Sequence, residues 1–348
     1  MNPAAIRLLN QHLAAPRFGD PAAVVAHMGA MQAQEYRMVR WAVAMRTRRP
    51  SASAFKAAFD GGRIVRLHLM RGTWQLVAAE DYWTWLALCA PKAIAVTKGW
   101  MAGNGISIPA REQARVRDIL ARTAAAMGSA TKDDFVRALA AAGVRLDAHR
   151  LSYHIRMAEF EGTLCSGDLL PMETTYALAS AKVPRPRTAD KIDRDEALAL
   201  FTRKYFQSRQ PATLEDYVWW SGMTVADCRR GIALLGGALR TERFAGRDFI
   251  LSDACRTRGF RRKTTLLVPP YDEYLIGYKS RDLVLPPEHR HRAHNNSGIF
   301  QPIIVRDGQV CGNWTPYAKA PRAEFFAGAP SPEEVQAAWQ QYEIYKTT

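Results

Sequence analysis

The sequence predicts an α+β chain of three tandem winged-helix domains followed by a small C-terminal β-barrel. Three observations carry that prediction. Helical periodicities closed by two β-like runs occur three times between residues 4 and 253. After Cys255 the pattern changes to short apolar runs broken by proline and glycine. A length of 348 residues with 48% hydrophobic content is enough for several compact cores. The expected domains are residues 1–105, 106–182, 183–256 and 257–348.

The first unit has helical periodicity over residues 4–14 and 21–30, where Asp20-Pro21 supplies an N-cap and a first-turn proline. A helix follows from Glu35 to Met45. Ser51 caps another through Phe59, and Gly61-Gly62 ends it. Ile64 to Val77 then reads as two strands around Arg71-Gly72, the wing of a winged helix. The second unit repeats this with a helix Arg111–Ala126 and a helix opened by Thr131-Lys-Asp-Asp. Its third helix, Ala148–Glu161, carries Arg150, His154 and Arg156 at spacings that share a face, and Thr163–Leu170 is a short wing. A stiff, basic linker at 182–188 leads to the third unit. That unit comprises Arg194–Gln207, a helix within Pro211–Gly222, a threonine-capped helix from Thr224, and a wing around Ala245-Gly246-Arg247. Beyond it, Thr264–Pro270 and Ile299–Trp314 read as strands, the latter a hairpin turning at Asp307-Gly308, and Pro332–Tyr345 is a closing helix.

Charge narrows the function. A formal net charge of +15 points to a polyanionic partner, nucleic acid first. No segment offers about 18 consecutive apolar residues, so no membrane span is expected. The opening residues lack the pattern of a signal peptide. Five scattered cysteines, none closely paired, argue against a disulfide framework or zinc site and for a cytoplasmic protein. No metal and no cofactor are expected. His289-Arg-His-Arg-Ala-His294 has poor ligand spacing and reads as a basic loop.

Several side chains admit two readings. Gln32 and Gln34 either cap the adjoining helices or face a reaction centre, and Glu35 is either a general base beside them or a first-turn acid. His68 is either a nucleic-acid contact or a satisfied strand histidine. Asp272-Glu273, surrounded by Tyr271, Tyr274 and Tyr278, reads as a structural corner, and Trp219-Trp220 reads as core. Candidate DNA-binding residues are Arg37, Arg66, His68, Arg71, Thr73, Arg156, Lys279, Arg281, His289, Arg290 and His291.

Four stretches, in order along the chain, carry a family resemblance. They are Met31-Gln-Ala-Gln34, Arg71-Gly-Thr-Trp-Gln-Leu-Val77, Pro269-Pro-Tyr-Asp-Glu-Tyr-Leu-Ile-Gly-Tyr-Lys-Ser-Arg281, and Gly298-Ile-Phe with Asp307-Gly-Gln-Val-Cys-Gly-Asn-Trp314. On these the chain resembles the winged-helix proteins that include the AlkZ-like and YcaQ-like bacterial DNA glycosylases. The resemblance implies three winged helices curled around a DNA-binding face and a terminal β-barrel. It implies that Gln32 and Gln34 are catalytic, matching the Gln-apolar-Gln form of the AlkZ-like branch, and that Ile64–Val77 is a DNA-interacting hairpin. The implied reaction is hydrolysis of the N-glycosidic bond of alkylated, cationic purines, crosslinks included, without strand cleavage. The implied partner is double-stranded DNA and the implied state a monomer. The competing expectation is a non-enzymatic winged-helix DNA-binding protein or transcription regulator, which would read an operator through a dimer.

Overall fold

The structure is a computed structural model that describes residues 2–186, 192–244, 246–326 and 328–348. The chain forms two compact units: one joins Met1–Phe55 to Leu198–Thr348, and the other is Lys56–Ala197.

In the unit Lys56–Ala197, strands Ile64–His68 and Trp74–Ala78 pair antiparallel, with Ile64 opposite Ala78 and His68 opposite Trp74. The reversal needs left-handed backbone at Arg71 (φ 55°) and Gly72 (φ 68°), which is why a glycine sits there. Nothing in the sequence pattern between Val77 and Arg111 announces the 22-residue helix Tyr82–Gly103. It lacks a side-chain N-cap and carries Pro91 in its interior, so both boundary and interior signals are absent.

Helices Ala110–Met127, Lys132–Ala141 and Ala148–Phe160 follow in the same unit. The second opens with a capping box, the Asp134 N–H donating to Thr131 Oγ1 and the Thr131 N–H to Asp134 Oδ2. Their apolar faces meet in a core of Val116, Leu120, Phe135, Leu151, Ile155 and Tyr176. The short wing expected at Thr163–Leu170 pairs Leu164–Ser166 with Tyr176–Leu178, so its return strand lies beyond the expected span. The intervening Leu170-Pro171 interrupts the alternation that would have revealed it.

The other unit opens with helices Pro3–Asn10 and Pro21–Met28, capped by Asn2 and Asp20. The expected helix Glu35–Met45 is confined to Val39–Ala44. The Glu35 carboxylate accepts from the Arg37 main-chain N–H and holds the preceding residues in a turn. Helices Arg194–Arg209, Leu214–Ser221 and Val225–Leu235 lead to a hairpin, Leu239–Phe244 against Arg247–Ser252. Ala245, named in the expected wing, lies outside the described residues, as do residues 187–191, part of which belongs to the expected linker.

Four C-terminal strands form one antiparallel sheet in the order Thr265–Val268, Ile303–Arg306, Gln309–Trp314, Ala323–Phe325. A bulge lies between Val310 and Gly312. Among the described residues the sheet is open, and no pairing closes it into the expected barrel. Pro269-Pro270 stops the first strand after four residues, and the last strand is three exposed residues long. The asparagine-like turn at Asp307 (φ 50°) and Gly308 (φ 89°) lands where expected; a side chain at Gly308 would meet the Ala4 Cβ at 2.8 Å. Helix Pro332–Thr347 joins the sheet and the N-terminal helices in one core containing Leu8, Trp41, Tyr274, Ile304, Trp314 and Trp339. No helix among the described residues is long and apolar enough to cross a membrane.

Candidate active site and nucleic-acid interface

The Gln-Ala-Gln segment begins where helix Pro21–Met28 ends. Gly29, at φ 73°, turns the chain, and Met31–Gln32 are extended. Lys204 packs so close to Gly29 that a Cβ there would meet the lysine Cβ at 3.1 Å. Gln32 is buried at 6% exposure, Ala33 is fully buried, and Gln34 is exposed. The tripeptide thus presents one amide to the interior and one to solvent.

Its main chain is tied to a buried ion pair. Gln32 N–H donates to Glu273 Oε1 at 2.7 Å. Glu273 Oε2 accepts from Arg209 Nε (2.8 Å) and Nη2 (2.7 Å) and from Trp220 Nε1 (3.1 Å). Arg209 donates in turn to the carbonyls of Met28 (2.7 Å) and Ala30 (2.6 Å). Both charged side chains are essentially excluded from solvent. A second buried pair stands beside the first in sequence: Arg46 grips both oxygens of Asp272 at 2.8 Å and also donates to Gln11. In a third, Arg7 lies 3.8 Å from Asp216, with its guanidinium 3.5 Å from the Tyr278 ring centroid. Asp272-Glu273 is therefore the structural corner the sequence suggests, and the corner reaches directly under Gln32.

The surface candidates of this unit divide. Arg37 lies 3.7 Å over the ring of Tyr317, a half-exposed residue at φ 64°. Burial, the first cause, pushes the Tyr317 hydroxyl well above its ordinary value. Lys279 and Arg281 both approach Trp219, at 5.0 and 5.6 Å, and Arg281 also faces Phe300 at 5.0 Å. Trp219 is 36% exposed, so of the two tryptophans expected in the core only Trp220 is there. His289 packs on Phe326, Arg290 pairs with Asp282, and His291 is exposed.

In the unit Lys56–Ala197, Trp74 lies between two candidates, with the Arg66 guanidinium 3.8 Å and the His68 ring 3.7 Å from its ring centroid. Arg66 also donates to Thr174 at 3.2 Å. His68 Nδ1 pairs with buried Glu159. Burial holds the imidazole below its ordinary pKa; Glu159 opposes the shift, and the nearby charges of Arg156 and Arg66 add to it. Thr73 accepts from Gln75 Nε2 at 3.0 Å and carries its hydroxyl over the turn containing Arg71. Arg156 belongs with this cluster. Its expected face-mates Arg150 and His154, one helical turn apart, instead share Glu112 at 2.7 and 3.0 Å. A residue two positions past His154 lies on the far side of the helix.

The sequence profile described as "DNA glycosylase AlkZ-like" matches residues 25–340, most of the chain. The chain belongs to the AlkZ-like DNA glycosylase family. An interstrand DNA cross-link repair glycosylase of Streptomyces sahachiroi is 24% identical over 317 residues, covering 84% of this chain and 81% of that protein. Among solved structures, the Streptomyces sahachiroi DNA glycosylase AlkZ superposes with a TM-score of 0.79 at 20% identity, over 100% of this chain and 96% of that one. The shared fold extends over the full length. Membership in a family of DNA glycosylases makes this an enzyme acting on DNA, and the expectation of a non-enzymatic regulator is set aside.

In this AlkZ-like glycosylase the residues the sequence misses are Arg209, Glu159 and the arginine partners of the acidic corner. Each lies far along the chain from its partner: 64 residues separate Arg209 from Glu273, 91 separate His68 from Glu159, and 226 separate Arg46 from Asp272. One signal was available. An arginine on the apolar side of a helix needs a buried acid, and Arg7, Arg46 and Arg209 all lie at 0% exposure.

Proposed function

We propose that this chain is a monofunctional DNA glycosylase that removes alkylated, cationic purines from double-stranded DNA and unhooks interstrand crosslinks, with Gln32 and Gln34 at the reaction centre. The observation that carries the reading is the Gln-Ala-Gln tripeptide itself, held by its main chain while Gln34 remains exposed. The family profile that covers it and the cross-link repair relative support the reaction class.

The chemistry suits amide side chains. A purine alkylated at a ring nitrogen is already cationic, so its glycosidic C–N bond breaks with the electron pair moving onto the base, which departs neutral. The sugar takes on oxocarbenium character. A water oxygen bonds to the anomeric carbon, and its proton passes to solvent. Glutamine carbonyl oxygens orient that water and stabilise the positive sugar by dipole, without accepting a proton. An undamaged purine would need a strong acid to leave, and the motif offers none.

Three helix-plus-hairpin modules of one grammar support the reading as three winged helices with the boundaries 1–105, 106–182 and 183–256. The open four-stranded sheet is part of a C-terminal barrel-like domain, 257–348. Arg37, Arg71, Thr73, Arg156, Lys279, Arg281, His289, Arg290 and His291 are the proposed DNA contacts of a cytoplasmic monomer; Arg66 and His68, buried against Trp74, brace the hairpin from within.

The deciding experiment is release of 7-methylguanine, and unhooking of a nitrogen-mustard crosslink, from duplex DNA by the wild type, Gln32→Ala and Gln34→Ala. Release by the wild type alone, with each substitution costing ~10²-fold or more in rate, is the expected result. Equal release by the variants would move the reaction centre elsewhere.

A further inference from the structure

We propose that Glu273 is a positioning residue for base excision, acting through the Gln32 main chain. The inference rests on the reading that Gln32 and Gln34 perform the chemistry. Met28 ends a helix, Gly29 turns the chain at φ 73° and Met31–Gln32 are extended, a path that brings main-chain groups of Met28, Ala30 and Gln32 to one side. All three are held from that side by a single ion pair, the carbonyls of Met28 and Ala30 by Arg209 and the Gln32 N–H by Glu273.

Folding alone does not require a charge here. A water or a carbonyl could satisfy one buried N–H, and a buried ion pair is costly to desolvate and weak evidence for stability. What the pair supplies is rigidity. Glu273 has one oxygen for Gln32, while its other oxygen is fixed by two guanidinium nitrogens and the Trp220 indole, four donors to one carboxylate. The guanidinium is fixed as well. It stacks at 4.4 Å from the Trp220 ring, and a side chain at Gly277 would meet the Arg209 Cδ and Nε at 3.3 Å. The carboxylate therefore cannot follow Gln32 if the segment drifts, nor can Gln32 leave it without orphaning a buried donor. A reacting constellation must be held to within about 0.5 Å, and an exposed side chain such as Gln34 draws that constancy from its backbone.

Glu273→Gln tests this with little change of shape. A neutral amide cannot accept on both sides. If its oxygen faces Arg209 and Trp220, its NH2 confronts the Gln32 N–H; turned over, it confronts the guanidinium. Single-turnover excision of 7-methylguanine and equilibrium binding of the lesion duplex are measured for the wild type, Glu273→Gln, Gln32→Ala and the double variant.

The expected result for Glu273→Gln is a rate loss of ~10²-fold with duplex affinity nearly unchanged, because a small misplacement costs that much in the chemical step. In the Gln32→Ala background the same substitution should cost clearly less than in the wild type, because only the positioning of Gln34 is then left to lose, a non-additivity that a general structural role would not produce. Additive losses, or a wild-type rate in folded Glu273→Gln, would overturn the proposal while leaving the glutamines in place. A wild-type rate in Gln32→Ala would instead remove the reading beneath it, and the proposal with it. If Glu273→Gln fails to fold, Trp220→Phe keeps the ion pair and deletes the indole donor together with part of the ring on which the guanidinium stacks. It should speed amide exchange of residues 28–34 and slow excision, and unchanged exchange and rate would overturn the proposal.

Discussion

At the scale of single residues, burial decides what each side chain can do. Gln32 and Gln34 share a motif and not an environment, so Gln34→Ala should cost activity with the melting temperature almost unchanged. Burial lowers the pKa of five histidines, His294 among them. It lowers His12 to about 3 and His27 to about 4, the two rings lying 4.7 Å apart, and it also lowers His68 and His154. A depressed histidine binds its proton more readily unfolded than folded, so stability rises with pH across the gap between the two values. The fold should therefore lose stability steadily as pH falls from about 6.5 toward 4, and replacing His27 with Gln should flatten that slope in a pH series of denaturant melts. The Gln-Ala-Gln pattern is legible in the sequence because its two glutamines are separated by a single residue, Ala33. Glu273 is not, because the contact that gives it meaning spans 241 positions and one sequence carries no record of such pairs.

At the scale of elements, local chemistry was legible wherever it is self-contained. The threonine caps at Thr131 and Thr224, the proline-led helices and the Asp307-Gly308 turn are each written in a few consecutive residues, and each forms. Thr131→Ala should remove one such signal cleanly, costing about 1 kcal/mol in urea unfolding with excision unaffected. The helix Tyr82–Gly103 and the return strand Tyr176–Leu178 were not legible. The first is stabilised by tertiary packing of Tyr82, Trp85, Leu88 and Cys89 in place of caps, and the second pairs across a loop whose length nothing local specifies. The Arg66–Trp74–His68 stack follows from pairing register: His68 and Trp74 are opposite each other, and Arg66 is two residues along on the same strand.

At the scale of the whole molecule, composition spoke for the partner and the grammar of elements for the architecture. Net charge of +15 on a DNA glycosylase makes binding to duplex strongly salt-dependent. If six or more phosphates are neutralised, affinity should fall by ~10³-fold or more between 50 and 200 mM salt, with a linear log–log slope, while the single-turnover rate on saturated enzyme stays nearly constant. A flat salt profile would contradict a phosphate-led interface. Mixed α/β architecture was readable because each module repeats a recognisable order. Closure of the terminal sheet was not, since it depends on how short edge strands meet, and the residues of those edges are too few to show a pattern.

The reach of the Glu273 contact also bears on how the enzyme comes into being. A ribosome that has just finished Gln32 must add 241 more residues before the carboxylate that holds it exists. At ~5–20 residues per second that takes roughly 10 to 50 seconds. Throughout that interval the nascent chain carries its glutamines on an unanchored strand. If the glutamines carry the chemistry as proposed, excision awaits the last third of the chain, which completes a unit that its first residues began.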